Sequence, residues 1–211
     1  MASTPVIKVA IYGDDQSEGV AFNSMGMPTI VSNNEAQALQ ALLQKSFNDF
    51  GIQVIDASTG GTSSSLQNEL DGMDGLGDGQ PRRMQASGAA IVIEEHGIND
   101  ALGGETVAEY SAYLGQWIQD AQSAGLRPVL EEPGPVCDGN HPQLPAYVAA
   151  MDAAAAQYNV PLIKQYDWIS SMPGWQSHML GCLVPDSYLD GLKAKAEQAV
   201  VGPMVKASMG G

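Results

Sequence analysis

Val6-Ile7-Lys8-Val9-Ala10-Ile11-Tyr12 runs directly into Gly13-Asp14-Asp15-Gln16-Ser17-Glu18-Gly19. A β-branched apolar run that ends in a turn of Gly, Asp and Ser reads as a buried strand. Such a strand delivers its loop to the carboxyl edge of a sheet, where open α/β folds place their ligands. The loop 13–19 is therefore expected to face the site.

The same alternation repeats outward from this stretch. Residues 20–34, rich in Gly, Ser, Asn and Pro, read as irregular. Ala36, Leu39, Leu42, Leu43 and Phe47 then fall on one helical face, with Asn33 or Asn34 as the cap and Gly51 as the stop. Gln53-Val54-Ile55-Asp56-Ala57 is a second strand, followed by the loop Ser58-Thr59-Gly60-Gly61-Thr62-Ser63. A helix starting over 66–70 breaks at the Asp-Gly pairs of 71–79. That segment reads as a solvated, flexible loop, since its spacing does not match an EF-hand.

Ala89-Ala90-Ile91-Val92-Ile93 is a continuous apolar run suited to burial on both faces, and it ends in Glu94-Glu95-His96-Gly97-Ile98-Asn99-Asp100. Thr106 caps a helix striped by Tyr110, Leu114, Trp117, Ile118 and Ala121, which Gly125 stops. A fourth strand over 127–131 leads into the loop 132–145. A helix over 146–158, a strand over 161–164, an irregular stretch with Trp168 and Trp175, and a last helix from about 187 to 200 complete the chain. Strands alternating with helices at this spacing predict a three-layer α/β/α sandwich around a parallel sheet of about five strands, flavodoxin-like in arrangement.

At 211 residues and 44% apolar content, the chain supports one sizeable core, and no composition break divides it, so residues 1–211 read as a single domain. Acidic residues outnumber basic ones 24 to 9, for a formal charge of −15. Such a chain repels phosphate backbones and anionic lipid, so neither nucleic acid nor membrane is expected as a partner. The start, Met1-Ala2-Ser3-Thr4-Pro5, lacks the charged and apolar regions of a signal peptide, and no stretch has the roughly 20 apolar residues of a membrane span. The chain thus reads as soluble, with no export signal of its own. Cys137 and Cys182 are too few for a disulfide framework or a zinc site by spacing, and read equally as a bridge or as two free buried thiols.

The loop 13–19 resembles the Gly-Asp-Ser-x-x-x-Gly signature of the SGNH/GDSL hydrolases. Gly13, Asp14 and Gly19 match it, and Asp15 stands where that family carries its nucleophilic serine. Gly60-Gly61-Thr62 stands where the family has its oxyanion-hole glycine, and Gly97-Ile98-Asn99-Asp100 matches its Gly-x-Asn-Asp segment. Each follows an expected strand, and together the three cover nearly the whole chain. The resemblance implies the SGNH type of α/β/α fold and an ancestry in acyl ester hydrolysis, often of acetyl groups on carbohydrates. It implies neither metal nor other cofactor. Catalysis in that family uses Ser, an Asp-x-x-His pair, and donors from backbone, Gly and Asn. The family's Asp-x-x-His-Pro segment falls on Gly181-Cys182-Leu183-Val184-Pro185, with Gly181 in the aspartate position and Val184 in the histidine position.

An ionised carboxylate resembles the charged oxygen of a tetrahedral intermediate, so Asp15 is expected to accept hydrogen bonds from Gly60 N–H and Asn99 and fill the oxyanion hole itself. The competing role for Asp15 is to cap the helix after the loop. Ser17, two residues on, should point elsewhere, and of Glu94 and Glu95 one must face away from the other. His96 reads as a packing and hydrogen-bonding residue of the strand end. The functional expectation is a GDSL-like protein with serine chemistry lost or impaired, retained as a ligand-binding or assembly module. Its ligand would be a small molecule or glycan ester, and assembly would be into an oligomer or virion, as a phage or surface-exposed particle component. The alternative is an active ester hydrolase with a rebuilt centre of Asp15, His141 and Asp138, since Asp138-Gly139-Asn140-His141-Pro142 has the Asp-x-x-His-Pro form earlier in the chain. A Cys137–Cys182 bridge would tie that loop beside Val184, with His178 near the same edge. Trp168, Trp175 and Tyr188 could stack on sugar rings or belong to the core.

Overall fold

The computed structural model describes residues 6–22 and 25–210. Residues 1–5, on which the reading of the start rests, lie outside them, as do residues 23 and 24 of the stretch read as irregular. The chain runs β1 (Lys8–Gly13), α1 (Asp15–Glu18), β2 (Val20–Phe22), β3 (Pro28–Ile30), α2 (Glu35–Phe47), β4 (Gln53–Asp56), α3 (Leu66–Asp71) and α4 (Arg82–Ser87). It continues with β5 (Ile91–Glu95), α5 (Ile98–Gly103), α6 (Val107–Ser123), β6 (Arg127–Glu131), α7 (Leu144–Tyr158), β7 (Leu162–Ile163) and α8 (Tyr166–Ser171). A 3-10 turn (Trp175–His178), β8 (Met179–Leu180), β9 (Val184–Pro185) and α9 (Ser187–Met209) close it.

Five strands form one parallel sheet in the order β4-β1-β5-β6-β7, as the alternation of elements predicts. Successive side chains of a strand point to opposite faces, and the core divides accordingly. Val9, Ile11, Ile91, Ile93 and Val129 pack beneath α2 and α9 with Leu39, Leu43, Val201 and Val205. Ala10, Tyr12, Val92 and Leu130 pack beneath α3, α6 and α7 with Leu66, Trp117 and Met151. Both faces are covered, which is why the strands read as unbroken apolar runs.

Caps set the helix starts. Asn34 rather than Asn33 caps α2 through Gln37 N–H at 3.3 Å, while Thr106 and Glu109 form a reciprocal capping box at α6. Two expectations need correcting. Residues 20–34 contain the hairpin β2–β3, and α9 continues through Pro203 to Met209 because Val201 and Val205 keep its face buried on the sheet. The segment 71–79 is largely exposed, as its composition suggests, and is anchored at one point where buried Asp74 pairs with Arg83 at 2.6 Å. Among the described residues no helix is long and apolar enough to cross a membrane.

Candidate functional site

The loop after β1 turns at once into the single turn of α1. Asp14 caps that turn through Gln16 N–H at 3.1 Å. Its other oxygen accepts from Gly97 N at 3.3 Å and Ile98 N at 3.2 Å, so one buried carboxylate ties the end of β1 to the end of β5. Burial raises the Asp14 pKa well above the usual carboxylate range, partly offset by the nearby His96.

With capping done by Asp14, Asp15 is free to turn into the crevice between the loops. Its Oδ2 accepts from Asn99 Nδ2 at 2.7 Å and its Oδ1 from Gly61 N at 2.9 Å. Asn99 also donates to Gly61 O at 3.2 Å, closing a ring of three loops around the carboxylate. The expected partner Gly60 N–H donates instead to Glu18. Glu18 lies one helical turn beyond Asp15, so the two carboxylates face the 60–61 segment side by side and divide its consecutive N–H groups. Burial raises the Glu18 pKa, against the hydrogen bond from Gly60. Gly60 admits no side chain, since a Cβ there would sit 2.8 Å from both Asp15 Oδ1 and Val20 Cγ2.

Gln16 and Ser17 point elsewhere. Ser17 Oγ donates to Glu95 at 2.6 Å, inside the α2/α9 face of the sheet. Gln16 accepts from Gly134 N at 2.7 Å and donates to Leu183 O at 2.9 Å, which holds the β8–β9 hairpin against α1. That hairpin carries both altered positions. Val184 is buried and pairs with Leu180, and Gly181 sits in the turn at φ 61°, a left-handed conformation that suits glycine. Neither can accept a proton.

Cys137 and Cys182 are bridged, so the loop after β6 is pinned to the same hairpin, with Cys137 N donating to Cys182 O at 2.9 Å. Within that loop His141 Nδ1 meets Asp138 Oδ1 at 2.9 Å. Partial burial pushes Asp138 upward, but the hydrogen bonds from His141 and Asn140 outweigh it and hold its pKa below the ordinary value. His141 Nε2 is buried without a hydrogen-bond partner among the described residues, so the ring is not bonded to Asp15. His178 binds Asp186 at the start of α9 at 3.0 Å and stacks on Tyr188. Trp168 and Trp175 pack on Ile169, Met179 and Leu189, as members of a small core. Beside Asn99 opens a cleft of about 410 Å3, lined by Thr62, Ser65, Asn68, Glu105 and Tyr113 among others.

Residues 11–183 match the model of the GDSL-like Lipase/Acylhydrolase family. The chain belongs to that family. No significant match to a curated protein is found by sequence. Solved structures agree on the fold of this GDSL-like chain. The lipase/acylhydrolase from Enterococcus faecalis superposes with a TM-score of 0.67 at 20% identity, covering 97% of this chain and 96% of its own. The acetylxylan esterase Axe2 from Geobacillus stearothermophilus gives 0.69 at 14% identity over 92% and 93%. The psychrotrophic esterase EstA from a Pseudoalteromonas species gives 0.65 at 18% over 94% and 98%.

In this GDSL-like chain the sequence reading located Asp15 and Asn99 but missed Glu18, Gly61 and the bracing role of Gln16. The spacing of Asp15 and Glu18 by three residues was the available signal for the first two, because a helical turn puts such residues on one face. For Gln16 there was none, since its partners lie more than a hundred residues away in the chain.

Proposed function

We propose that this GDSL-like protein no longer performs serine ester hydrolysis and serves instead as a binding or assembly module. The observation that carries this reading is the Asp15 carboxylate accepting from Asn99 Nδ2 and Gly61 N–H. Acyl transfer in a fold of this kind needs such donors free for the charged oxygen of the tetrahedral intermediate, and losing one donor raises the barrier by about 2.7–4 kcal/mol. Here an anion built into the chain takes both, at the position where a hydroxyl would have to attack. Val184 supplies no base to activate water or a replaced serine.

The ligand side of the proposal rests on the polar cleft beside Asn99, whose lining carries amide and hydroxyl groups, the acceptor carboxyls of Glu105 and Glu109, and no Lys or Arg. Such a lining suits a neutral, hydroxyl-rich small molecule or glycan ester over an anion. Because the structural relatives include an acetylxylan esterase, acetylated xylo-oligosaccharides are the first ligands to titrate by calorimetry.

The competing reading, an active hydrolase rebuilt from Asp15, His141 and Asp138, has the observed His141–Asp138 pair in its favour. The two separate cleanly in a p-nitrophenyl acetate assay of the wild type, His141→Ala and Asp15→Ser. The expected result is no turnover above buffer in any of the three. Wild-type turnover abolished by His141→Ala would overturn the proposal, and substantial turnover in Asp15→Ser would show that a base other than position 184 serves the site. Adding Gly181→Asp and Val184→His to Asp15→Ser is expected to bring back measurable hydrolysis.

A further inference from the structure

β5 ends on Glu94 and Glu95 and is followed at once by His96, three polar residues wholly buried where the strand's earlier positions are apolar. Glu94 faces the α3/α6 side of the sheet. There Glu69 of α3 joins it and His96, and one ligand atom from each of the three lies within 4.8 Å of the others. All three are buried. Ring nitrogen Nδ1 of His96 meets Glu94 Oε1 at 2.7 Å. His96 Nε2 and Glu94 Oε2 have no hydrogen-bond partner among the described residues. Buried polar atoms are seldom left unsatisfied, and two in one cluster ask for a shared partner.

That partner should be positive. Glu69 and Glu94 lie together with Asp100 and Asp14 in the field of His96. The guanidinium of Arg83 is turned to Asp74 at 2.6 Å and to the carbonyl of Glu69 at 3.2 Å. A second buried trio, Glu35, Glu95 and Glu131, lies across the sheet, but there Lys193 contacts both Glu35 and Glu95 and supplies the cation from within the chain. In the corresponding place the Glu69 trio has the His96 imidazole, with the field of the Arg83 guanidinium reaching Glu69 while its hydrogen bonds go to Asp74 and the Glu69 carbonyl.

We propose that Glu69, Glu94 and His96 bind a divalent transition-metal ion, one imidazole nitrogen and two carboxylates being a donor set that suits zinc or manganese. The ion joins α3 to the end of β5, directly behind the Gly97–Asn99 segment that holds Asp15. Trp117 Nε1 at 2.9 Å and Gln80 Nε2 at 3.1 Å both donate to Glu69 Oε1, fixing that carboxylate as outer partners of a metal ligand do. The site is structural, since it is closed to solvent and separate from the cleft.

The test uses the intact protein stripped with a chelator and reloaded with zinc or manganese. Stoichiometric metal by mass spectrometry, a raised melting temperature, and movement of the His96 ring 15N signals on metal addition are expected, with His141 and His178 unmoved. Glu69→Gln, whose amide oxygen still accepts from Trp117, is expected to lower metal affinity by about tenfold or more while leaving the circular dichroism unchanged. Should that variant fail to fold, the His96 signals in the wild type decide alone. Unmoved His96 signals with no change in melting temperature for either metal overturn the proposal, and so does full metal occupancy in a folded Glu69→Gln.

Discussion

Glu94 and Glu95 are consecutive, equally buried, and solved in opposite ways. Glu95 faces α9 and takes Ser17 Oγ at 2.6 Å, Gln165 Nε2 at 2.6 Å and Lys193 Nζ at 2.7 Å, so both of its oxygens are occupied and one partner is a permanent cation. Glu94 faces α3 and α6, shares one oxygen between the backbone N–H and ring of His96, and has no hydrogen-bond partner among the described residues for the other. The difference teaches what each face can do. A lysine that reaches both Glu35 and Glu95 locks α9, α2 and the sheet together whatever the surroundings. An imidazole among carboxylates answers to protons and metal ions.

The largest effect should come from removing the permanent cation. Lys193→Met leaves Glu35 and Glu95 buried without their partner, and breaking a buried pair from one side costs about 3–5 kcal/mol. Urea unfolding is expected to show that loss, and adding Glu35→Gln and Glu95→Gln to the same chain is expected to recover part of it. If Lys193→Met unfolds at the wild-type midpoint, the two faces do not differ in the way described.

A smaller effect common to both faces is expected from pH. Burial raises Glu69 to about 7 and Asp190 to about 8, Glu69 on the His96 side and Asp190 on the Lys193 side. A carboxyl whose folded pKa exceeds its unfolded value stabilises the fold while protonated. That contribution is complete below the unfolded pKa and is lost as pH rises through the folded one. Although burial pulls it down, the carboxylates around His96 raise its pKa on balance, so it acts in the same direction. The melting temperature is therefore expected to fall as pH is raised from about 5 to about 9. Glu69→Gln should flatten the lower part of the fall and Asp190→Asn the upper part. A rise in melting temperature across that range would contradict the assignment of these groups.

The sheet was legible in the sequence because burial on both faces leaves a plain mark. Ile91, Val92 and Ile93 are apolar without alternation, and the runs of β1 and β4 are closed at their carboxyl ends by Gly13 and Asp56. Gly13, Asp14 and Asn99 were legible for a related reason, since they stand at or just after the ends of two adjacent strands, β1 and β5, and so meet at one edge. The hairpins β2–β3 and β8–β9 were not, because strands of two or three residues carry no period and are held by what they pack on. The continuation of α9 past Pro203 was hidden by the ordinary meaning of proline, which the buried Val201 and Val205 override here. The exchange of Gly60 for Gly61 as partner of Asp15 depends on Glu18 reaching the same loop, a choice between neighbouring N–H groups that only side-chain geometry makes.

Asp15 tests the same contrast at its weakest point. Like Glu95 it is a carboxylate with both oxygens occupied, but its donors are the neutral Asn99 amide and a backbone N–H, at the sheet edge rather than inside. Asp15→Asn keeps the shape and turns one acceptor into a donor, so either Gly61 N–H or Asn99 loses its acceptor. A hydrogen bond to a charged group contributes about 1.5–3 kcal/mol and a neutral one about 1. Partial solvent access at the edge should hold the cost near the lower figure, well under that of Lys193→Met. If the carboxylate fills the cradle as a structural anion, Asp15→Asn lowers the urea midpoint slightly and p-nitrophenyl acetate is still not turned over. If Asp15 were held there under strain for chemistry, the same change would raise the midpoint, because active-site groups are often retained at the expense of stability.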